Sequence, residues 1–593
     1  MRPRQSCTLF LLLFAIGATS GAAAPAAEDP AVVRFRDDVL WLADDAREGR
    51  GIGTRGLAEA RDWIVARFQA LGVQPAGEAG SWFQTFRVPT SVEVASGTGV
   101  AIDGRRLDRQ AYQPAGFSSS ARVEAAVVAA GYGITAPDLA VDDYAGLDVK
   151  GKIVAVRRFT PKSGPFEQED HQRRHGDLRA KAWNAREHGA VGLIVVDAPP
   201  PGVAPEVENA GEAPLPEPAI ESGAGAAVGD AGIPVVLVSR AAGAPLFTGR
   251  HRAGLAVELT RKSEPAQNVV GVIRAGASDR LPGAVLVGAH YDHIGLGDQS
   301  SLSPGSREVH NGADDNASGV AALIEVARRL AERRSELRRD VWVVAFAAEE
   351  LGTLGSTTMT RQPPAGLRLE DLVGMLNMDM VGRLRDLGQL SVLGGESAEE
   401  WPGLVRPLCE RAALQCAVSG DGFGSSDHSP FYGAGVPVLH FFTGTHEDYH
   451  KPSDDAGKVD AAGGVKVSGL VAEMALALAV RPERLAYKSA PAPIPKGDLR
   501  GSGASLGTVP DYAGDGKPGV LLSGVRAGSA AEAGGLRRGD RLVELAGTQI
   551  RDIHDLMFVL RRARPGEKAD AVVDRAGERV TLQVTFEASK GMR

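Results

Sequence analysis

Short apolar runs alternate with helical patterns from Asn268 to about Leu485, and this alternation restricts the fold more than any other feature of the chain. The runs have the length and composition of strands that are buried on both faces. They lie at 284–288, 341–346, 374–378, 390–393 and 437–442. The pattern predicts an α/β fold whose central sheet is mostly parallel and flanked by helices. Functional side chains collect at the carboxyl ends of the strands in such a sheet.

Two adjacent acids, Glu349 and Glu350, closely follow the apolar run from Val341 to Phe346. Carboxylates at the end of a buried strand are costly unless a cation or a reaction uses them. Successive side chains at a strand end diverge, so one acid can bind a metal while the other faces a substrate. The pair therefore indicates a metal-dependent catalytic site.

Histidines and aspartates follow the other predicted strands. They occur in GAHYDH (288–293), NGADDNASG (311–319), LNMDMVG (376–382) and EDYHKPSDD (447–455). Mixed histidine and carboxylate ligands without cysteine suit zinc or another borderline divalent metal in a catalytic site. Together with AAEE at 347–350, these motifs predict a two-metal hydrolase.

The five motifs resemble those of the co-catalytic zinc peptidases of peptidase family 28, which include the bacterial leucyl-type aminopeptidases. The resemblance covers residues 31–108 and 264–485, and it implies a discontinuous domain with the zinc-exopeptidase fold and two Zn²⁺ ions. The related family 20 carboxypeptidases share the ligand order but carry a lid domain between the last two ligands. The interval from Asp379 to His450 is too short for such a lid, which favours family 28.

The resemblance also implies the metal ligands, which are His290, Asp314, Glu350, Asp379 and His450. Asp314 is expected to bridge both metals. His290 and Asp379 are expected to complete one site, and Glu350 and His450 the other. Family members hold the peptide bond after the bridging aspartate cis, which implies a cis bond from Asp314 to Asp315.

Two further residues have catalytic roles by the same resemblance. Asp292 would hydrogen-bond the imidazole of His290 and fix its tautomer. Glu349 would be the general base that takes a proton from a metal-bridging water and passes it to the leaving amine. Asp427 and His428 recur beside the pocket in this family. Three histidines in or next to these motifs match no ligand position and are expected to be loop residues; they are His293, His310 and His446.

Two further modules accompany the predicted peptidase domain. Residues 109–263 resemble the protease-associated domain, on the evidence of GYGITAPDLAVDDYAGLDVKGKIVAV (131–156) and HGAVGLIVV (188–196), which implies a gating or scaffold role. Residues 486–502 are predicted to be a linker. Residues 503–588 resemble a bacterial PDZ domain through 518–550 and the helical pattern at 552–563. Such a domain binds a C-terminal peptide by strand addition, here with Gly519–Leu522 as carboxylate-binding loop, or it packs with an unused groove.

The amino terminus and the net charge indicate where the protein is located and which partners are not expected. Residues 1–24 have basic Arg2 and Arg4 and an apolar stretch, which predicts a signal peptide and an exported protein, periplasmic or secreted. No segment is expected to span a membrane. A net charge of −8 without a basic tract gives no reason to expect nucleic acid. Cys409 and Cys416 are expected to be two small buried side chains, although an oxidising compartment permits a disulfide.

The favoured function is an exported zinc-dependent exopeptidase, and in particular an aminopeptidase that removes N-terminal residues from peptides. A carboxypeptidase on the same fold is one alternative. A one-metal aminoacyltransferase, as in glutaminyl cyclases, is another, and a metal count separates it from the first. A non-catalytic binding protein, as transferrin receptors are on this scaffold, is the third, but such proteins have lost ligands that this sequence retains.

Overall fold

The computed structural model describes most of the chain from residue 28 onward. The described residues are 28–136, 139–200, 212–216, 218, 230–297, 300–303, 306–489, 504–510, 517–525, 528–551 and 553–588. The signal peptide predicted at 1–24 and most of the linker predicted at 486–502 lie outside them. The stretch 199–217 is rich in proline, which predicts a surface loop, and it also falls mostly outside these residues.

A nine-stranded sheet forms the core of the largest domain. Its strands, in order across the sheet, are Gln74–Pro75, Leu259–Ile273, Asp340–Phe346, Ala284–His290, Leu372–Met378, Val438–Phe442, Leu390–Leu393 and Cys416–Ser419, with Phe83–Val94 also paired to Leu259–Ile273. The four strands from Asp340–Phe346 to Val438–Phe442 are parallel to one another. The prediction of a mostly parallel central sheet is confirmed.

Both faces of this sheet are buried because its central strands are predominantly apolar. Val341, Val343 and Ala345 belong to one hydrophobic cluster, and Trp342 and Val344 to another on the opposite face. Alternate side chains of a strand point to opposite faces, so a continuous apolar run must be covered twice. The first cluster includes residues of helices Pro30–Leu42, Arg55–Ala70, Gly319–Glu332, Trp401–Arg411 and Ala461–Val480. The second includes residues of Leu354–Arg361 and His428–Gly433.

The helix Ala461–Val480 corrects one prediction from the sequence. It is long and apolar enough to cross a membrane, whereas no such segment was expected after the amino terminus. Its apolar window is 72% buried within the protein, against the helices Pro30–Leu42 and Gly319–Glu332 among others. The composition of this helix therefore suits the core of a folded domain.

An inserted module, residues 99–257, lies between the strands Phe83–Val94 and Leu259–Ile273 in sequence. These two strands form a long antiparallel pair that connects it to the large domain. Its eight-stranded sheet runs Arg105–Arg106, Gly99–Ile102, His251–Val257, Ala121–Ala129, Ile153–Arg157, Gly192–Val196, Val235–Val238 and Tyr112–Pro114. The helices Glu169–Gly176, Leu178–Glu187 and Arg240–Gly243 accompany it. The sheet starts at Gly99, ahead of the boundary predicted at 109, because Gly99–Ile102 pairs with His251–Val257.

The C-terminal module, residues 504–588, has its own hydrophobic cluster. Its sheet contains Thr508–Pro510, Val520–Val525, Arg541–Leu545, Thr548–Gln549, Lys568–Arg575 and Glu578–Thr585, with helices Ala530–Ala533 and Ile553–Arg562. Val520–Val525 pairs on both sides, with Thr508–Pro510 and with Arg541–Leu545. Val520–Val525 therefore lies inside the sheet, and the role of Gly519–Leu522 as carboxylate-binding loop stays a prediction. Among the described residues, Thr508–Pro510 and Glu578–Thr585 lie at the two ends of the strand order.

The C-terminal module docks on the rest of the protein. Phe558 stacks on Trp183 of the inserted module with ring centroids 4.4 Å apart. Next to this stack, Arg186 and Asp555 form an ion pair with a 2.6 Å N–O distance. Arg538 donates to the carbonyl oxygen of Ala434 in the large domain. The three modules are therefore in direct contact.

A disulfide joins Cys409 to Cys416. This corrects the expectation of two separate thiols. Cys409 lies in the last turns of the helix Trp401–Arg411, and Cys416 begins the strand Cys416–Ser419. The short reversal between these elements brings their Cα atoms to 6.2 Å, within reach of a disulfide.

Candidate metal centre

The candidate side chains converge at the carboxyl edge of the parallel strands. His290 is the last residue of Ala284–His290, and Asp379 directly follows Leu372–Met378. Glu349 and Glu350 come three and four residues after the end of Asp340–Phe346. Because parallel strands end at the same edge, loops far apart in sequence meet there.

Two groups of candidate ligands form at this edge, His290, Asp315 and Asp379 in one and His293, Asp315 and Glu350 in the other. In the first, His290 Nε2 lies 3.3 Å from Asp379 Oδ1 and 3.4 Å from Asp315 Oδ1. Beside the second, His450 Nε2 lies 3.1 Å from Glu350 Oε2 and 3.3 Å from Asp315 Oδ2. Each carboxylate oxygen of Asp315 thus faces a different group, which is the arrangement of a carboxylate that bridges two ions.

This geometry corrects the assignment of Asp314 as the bridging residue. Its Oδ1 accepts hydrogen bonds from the backbone N–H of Gly382 and the hydroxyl of Ser318, at 2.7 and 2.9 Å. Its Oδ2 lies 3.2 Å from His446 Nε2, behind the site. The cis peptide bond likewise follows Asp315 and joins it to Asn316, one residue later than expected. The bridging position and the cis bond are thus both displaced by one residue, from Asp314 to Asp315.

Asp292 is buried beside the site, but its partners differ from those expected. The nitrogen His290 Nδ1 lies 3.2 Å from the backbone carbonyl oxygen of Asp292 and 3.8 Å from the carboxylate. The carboxylate accepts the backbone N–H groups of Glu349 and Glu350 instead, at 3.1 and 3.4 Å. Burial raises the pKa of Asp292 to about 6. Asp292 therefore positions the two glutamates, and its backbone orients the imidazole.

Glu349 lies at the site without belonging to either ligand group. Its Oε2 is 4.0 Å from His290 Nε2, and the residue is 8% exposed. Burial raises the pKa of Glu349 well above its usual range, and the negative charge of Asp379 raises it further. A carboxylate that faces the ligand groups but makes none of their close contacts is available for proton transfer.

The charges of the two histidines reflect the acids around them. Burial alone would lower the pKa of His450, but contacts with Asp315 and Glu350 raise it to about 11. For His290, burial also acts downward, while Asp379 and Glu349 raise the pKa well above its usual range. Among the described residues, no lysine or arginine forms an ion pair with these carboxylates. The site therefore concentrates negative charge that a cation would neutralise.

The donor atoms fit divalent metal ions such as zinc. The set offers imidazole nitrogen and carboxylate oxygen without sulfur, which suits a catalytic zinc site. Two ligands about 2.1 Å from one tetrahedral zinc ion are about 3.4 Å apart. The four separations that join His290 to Asp379 and Asp315, and His450 to Asp315 and Glu350, are between 3.1 and 3.4 Å and agree with this value.

Several buried residues near the site were not assigned to it from the sequence. His293 was expected in a loop, but its Nδ1 lies 2.6 Å from Glu350 Oε1. His310 contacts Ser301 and the carbonyl of Glu308 instead. His428 stacks on His440 at 4.4 Å and is buried like its neighbour Asp427. The only hint in the sequence that His293 lies near the site is its position three residues after His290, at the end of a strand.

Arg50 braces the loops that carry the ligands. Its fully buried guanidinium donates to the carbonyl oxygens of Tyr291, Leu42, Asn311 and Gly312. Tyr291 follows ligand His290, and Gly312 precedes Asp315 by three residues. Burial lowers the pKa of Arg50 to about 10, while Asp315 and Asp292 act in the opposite direction. The amino-terminal segment therefore fixes the two loops relative to each other.

Comparison with known proteins agrees with the three-module architecture. Residues 268–475 match the family model of peptidase family M28. The chain contains an M28 peptidase domain. Residues 123–246 match the PA domain and 522–575 match the PDZ domain. The M28 match contains every candidate ligand, the PA match lies in the inserted module and the PDZ match in the C-terminal module.

The M28 domain has relatives that are named aminopeptidases. Aminopeptidase YwaD of Bacillus subtilis is 30% identical over 319 residues, which are 52% of this chain and 58% of that protein. The probable lipoprotein aminopeptidase LpqL of Mycobacterium tuberculosis is 27% identical over 57% of this chain and 56% of its own length. The chain therefore spans just over half the length of these relatives. An aminopeptidase from Aneurinibacillus sp. aligns over 78% of this chain and 97% of its own, at 20% identity and a TM-score of 0.47.

Proposed function

We propose that this protein is an exported, zinc-dependent aminopeptidase. The observation that carries the proposal is the position of Asp315, whose two oxygens face the two separate ligand groups. The names of the relatives YwaD and LpqL support aminopeptidase activity. The disulfide between Cys409 and Cys416 supports export, because such bonds persist in oxidising compartments.

The proposed ligands divide between two ions. His290 and Asp379 would hold one, Glu350 and His450 the other, and Asp315 would contact both. A bound pair of ions would supply Lewis acidity and would lower the pKa of a water molecule toward neutral pH. Glu349 would accept the proton of the attacking water and return it to the amine that leaves. Asp292 keeps this base in place through the backbone N–H of Glu349.

The surplus of acids supports recognition of a free amine rather than a free carboxylate. Asp427 is a further fully buried carboxylate beside the site, and burial raises its pKa to about 7. Arg383, the buried arginine of the neighbouring loop, is already paired with Asp448 and Asp454. A C-terminal carboxylate would need a free cationic partner, whereas the buried guanidinium of Arg50 beside the site is committed to four backbone carbonyl oxygens. The proposed substrates are therefore peptides with an unblocked amino terminus.

Matched substrates test the proposal directly. We expect hydrolysis of aminoacyl p-nitroanilides, no hydrolysis of their N-acetyl counterparts, loss of activity on chelation and recovery with zinc. Cleavage of N-blocked peptides at a free carboxyl end would indicate a carboxypeptidase. Cyclisation of N-terminal glutamine with one bound metal would indicate the aminoacyltransferase. Wild-type protein that binds zinc but turns over none of these substrates would leave only the binding protein.

The PDZ domain is proposed to bind an extended C-terminal peptide at the strand Thr508–Pro510. This strand lies at an edge of its sheet, so its backbone can pair with an added strand. The neighbouring helix Ile553–Arg562 contributes Leu556 and Leu560 to the core of the domain. Fluorescence anisotropy with a library of labelled C-terminal peptides tests the proposal, and amidation of a bound peptide should abolish its binding.

A further inference from the structure

His293 and Glu350 form a close contact that the proposed metal ligands do not account for. His293 Nδ1 lies 2.6 Å from Glu350 Oε1, and the His293 side chain is fully buried. The other oxygen, Glu350 Oε2, faces His450 Nε2 at 3.1 Å. The two oxygens of Glu350 are thus divided between two histidines.

The separation of 2.6 Å indicates a hydrogen bond rather than a shared metal ion. Two ligands of one tetrahedral zinc ion are about 3.4 Å apart, as worked out above. The contact of His293 with Glu350 is shorter by about 0.8 Å and lies much closer to the length of a charge-assisted N–H···O⁻ bond, about 2.7–2.9 Å. His293 Nδ1 is also 4.0 Å from Asp315 Oδ2, farther than His450 Nε2 at 3.3 Å.

The surroundings hold the imidazole of His293 in this orientation. Gly312 lies against the ring, and a Cβ atom at Gly312 would come within 2.5 Å of His293 Cδ2. Gly312 also has φ +54°, a conformation that favours glycine. The ring meets His450 edge-on with centroids 5.7 Å apart. The backbone N–H of His293 donates to the carbonyl oxygen of Arg50. Since Nε2 is buried and has no hydrogen-bond partner among the residues that the structure describes, Nδ1 makes the polar contact of the ring.

We propose that His293 is a positioning residue of the second metal site. Its Nδ1–H donates a hydrogen bond to Glu350 Oε1. This bond orients the carboxylate so that Oε2 points to the ion that His450 and Asp315 would share. A carboxylate freed from this bond can rotate and loses the orientation that ligation needs. Outer partners of this kind change metal affinity by about 10–100-fold. The inference rests on the proposed two-metal function and adds a residue to it.

Two variants of similar polarity separate this role from the alternatives. In His293→Asn the amide nitrogen comes near the position of Nδ1 and can still donate to Glu350. In His293→Gln the amide reaches instead to the position of Nε2 and cannot. Zinc stoichiometry and affinity of the full chain are measured by competition with a chromogenic chelator, and cobalt absorption spectra report the coordination. His310→Gln serves as control, because His310 is a buried histidine that contacts Ser301 and a carbonyl oxygen.

We expect His293→Gln to weaken one of the two zinc sites by about 10–100-fold and His293→Asn to restore most of the affinity. His310→Gln should leave both sites unchanged. Equal loss in both His293 variants, with a changed cobalt spectrum in His293→Asn, would make His293 a ligand and overturn the proposal. Unchanged affinity in both variants would overturn it as well. Wild-type protein that binds no zinc would overturn the proposed function itself, and with it the role of His293.

Discussion

The indole ring of Trp183 and the phenyl ring of Phe558 stack at a centroid distance of 4.4 Å and an interplanar angle of 12°. The first belongs to the PA domain and the second to the PDZ domain, 375 positions later in the chain. Phe558 lies outside the PDZ core cluster and shares a small cluster with Trp183 and Ala180 instead. The PDZ domain is therefore docked on the PA domain through a side chain that its own core does not use.

Phe558→Ala should loosen the docking without unfolding either domain. The loss of apolar contact and of ring stacking should cost about 1–3 kcal/mol of docking free energy. Limited proteolysis should cut faster between the M28 and PDZ domains, with the exposed Leu147→Ala of the PA domain as control. Turnover of a small chromogenic substrate should stay nearly unchanged, because every candidate ligand lies within 268–475. A loss of turnover while the protein stays folded would show a direct role of the PDZ domain in catalysis.

The apolar pattern of the sequence predicts the architecture of the M28 domain, because a strand that is buried on both faces needs an uninterrupted run of apolar residues. Every residue from Val341 to Phe346 is buried, and the sequence there is apolar without interruption. The helix Gly319–Glu332 likewise buries its apolar residues Val320, Leu323 and Leu330. The carboxyl-edge location of the candidate site followed from the same pattern.

The details of the site depended on contacts that no local pattern records. Asp314 and Asp315 have identical side chains, and contacts such as that with the backbone N–H of Gly382, far along the chain, decide which one turns away. His293 resembles any loop histidine until Glu350 is brought beside it by the sheet. The contact of Trp183 with Phe558 depends on how two domains dock, which the sequence of either domain does not specify.

Asp315→Asn should weaken zinc binding, whereas Asp314→Asn should leave it intact. Asp315→Asn replaces a carboxylate that faces both ligand groups, so binding at both sites should weaken strongly. Asp314→Asn should retain zinc, because Asp314 contacts Gly382 and Ser318 rather than the ligand groups, and should lower the unfolding temperature modestly. Elemental analysis after dialysis and thermal unfolding measure both effects. Zinc lost only from Asp314→Asn would return the bridging role to Asp314.

Zinc binding should release protons near neutral pH. In the metal-free protein the pKa of His450 is raised to about 11 by Asp315 and Glu350 in spite of burial, and that of His290 is also raised. The protonated His450 must lose its proton to bind metal, and the pKa of His290 is shifted in the same direction. The apparent zinc affinity should therefore rise with pH through the neutral range and level off only near the pKa of His450, about 11. Calorimetry in buffers of different ionisation enthalpy measures the released protons, and heats that do not depend on the buffer would contradict this prediction.

Glu349→Gln and Glu350→Gln should separate the base from the ligand. Glutamine at 349 keeps the shape of the side chain but cannot accept the proton, so turnover should fall by about 10²–10⁴-fold. Zinc content should stay at the wild-type level, because Glu349 belongs to neither ligand group. KM should change far less than kcat, since the lost interaction belongs to the transition state.

Glu350→Gln should instead lose zinc from one site, because Glu350 Oε2 faces His450 and its Oε1 accepts from His293. Activity should fall with the metal content and recover in part at high zinc concentration, which Glu349→Gln should not do. Bound zinc and turnover measured for both variants distinguish the two roles. Zinc lost from Glu349→Gln and kept in Glu350→Gln would exchange the assignments of the two glutamates.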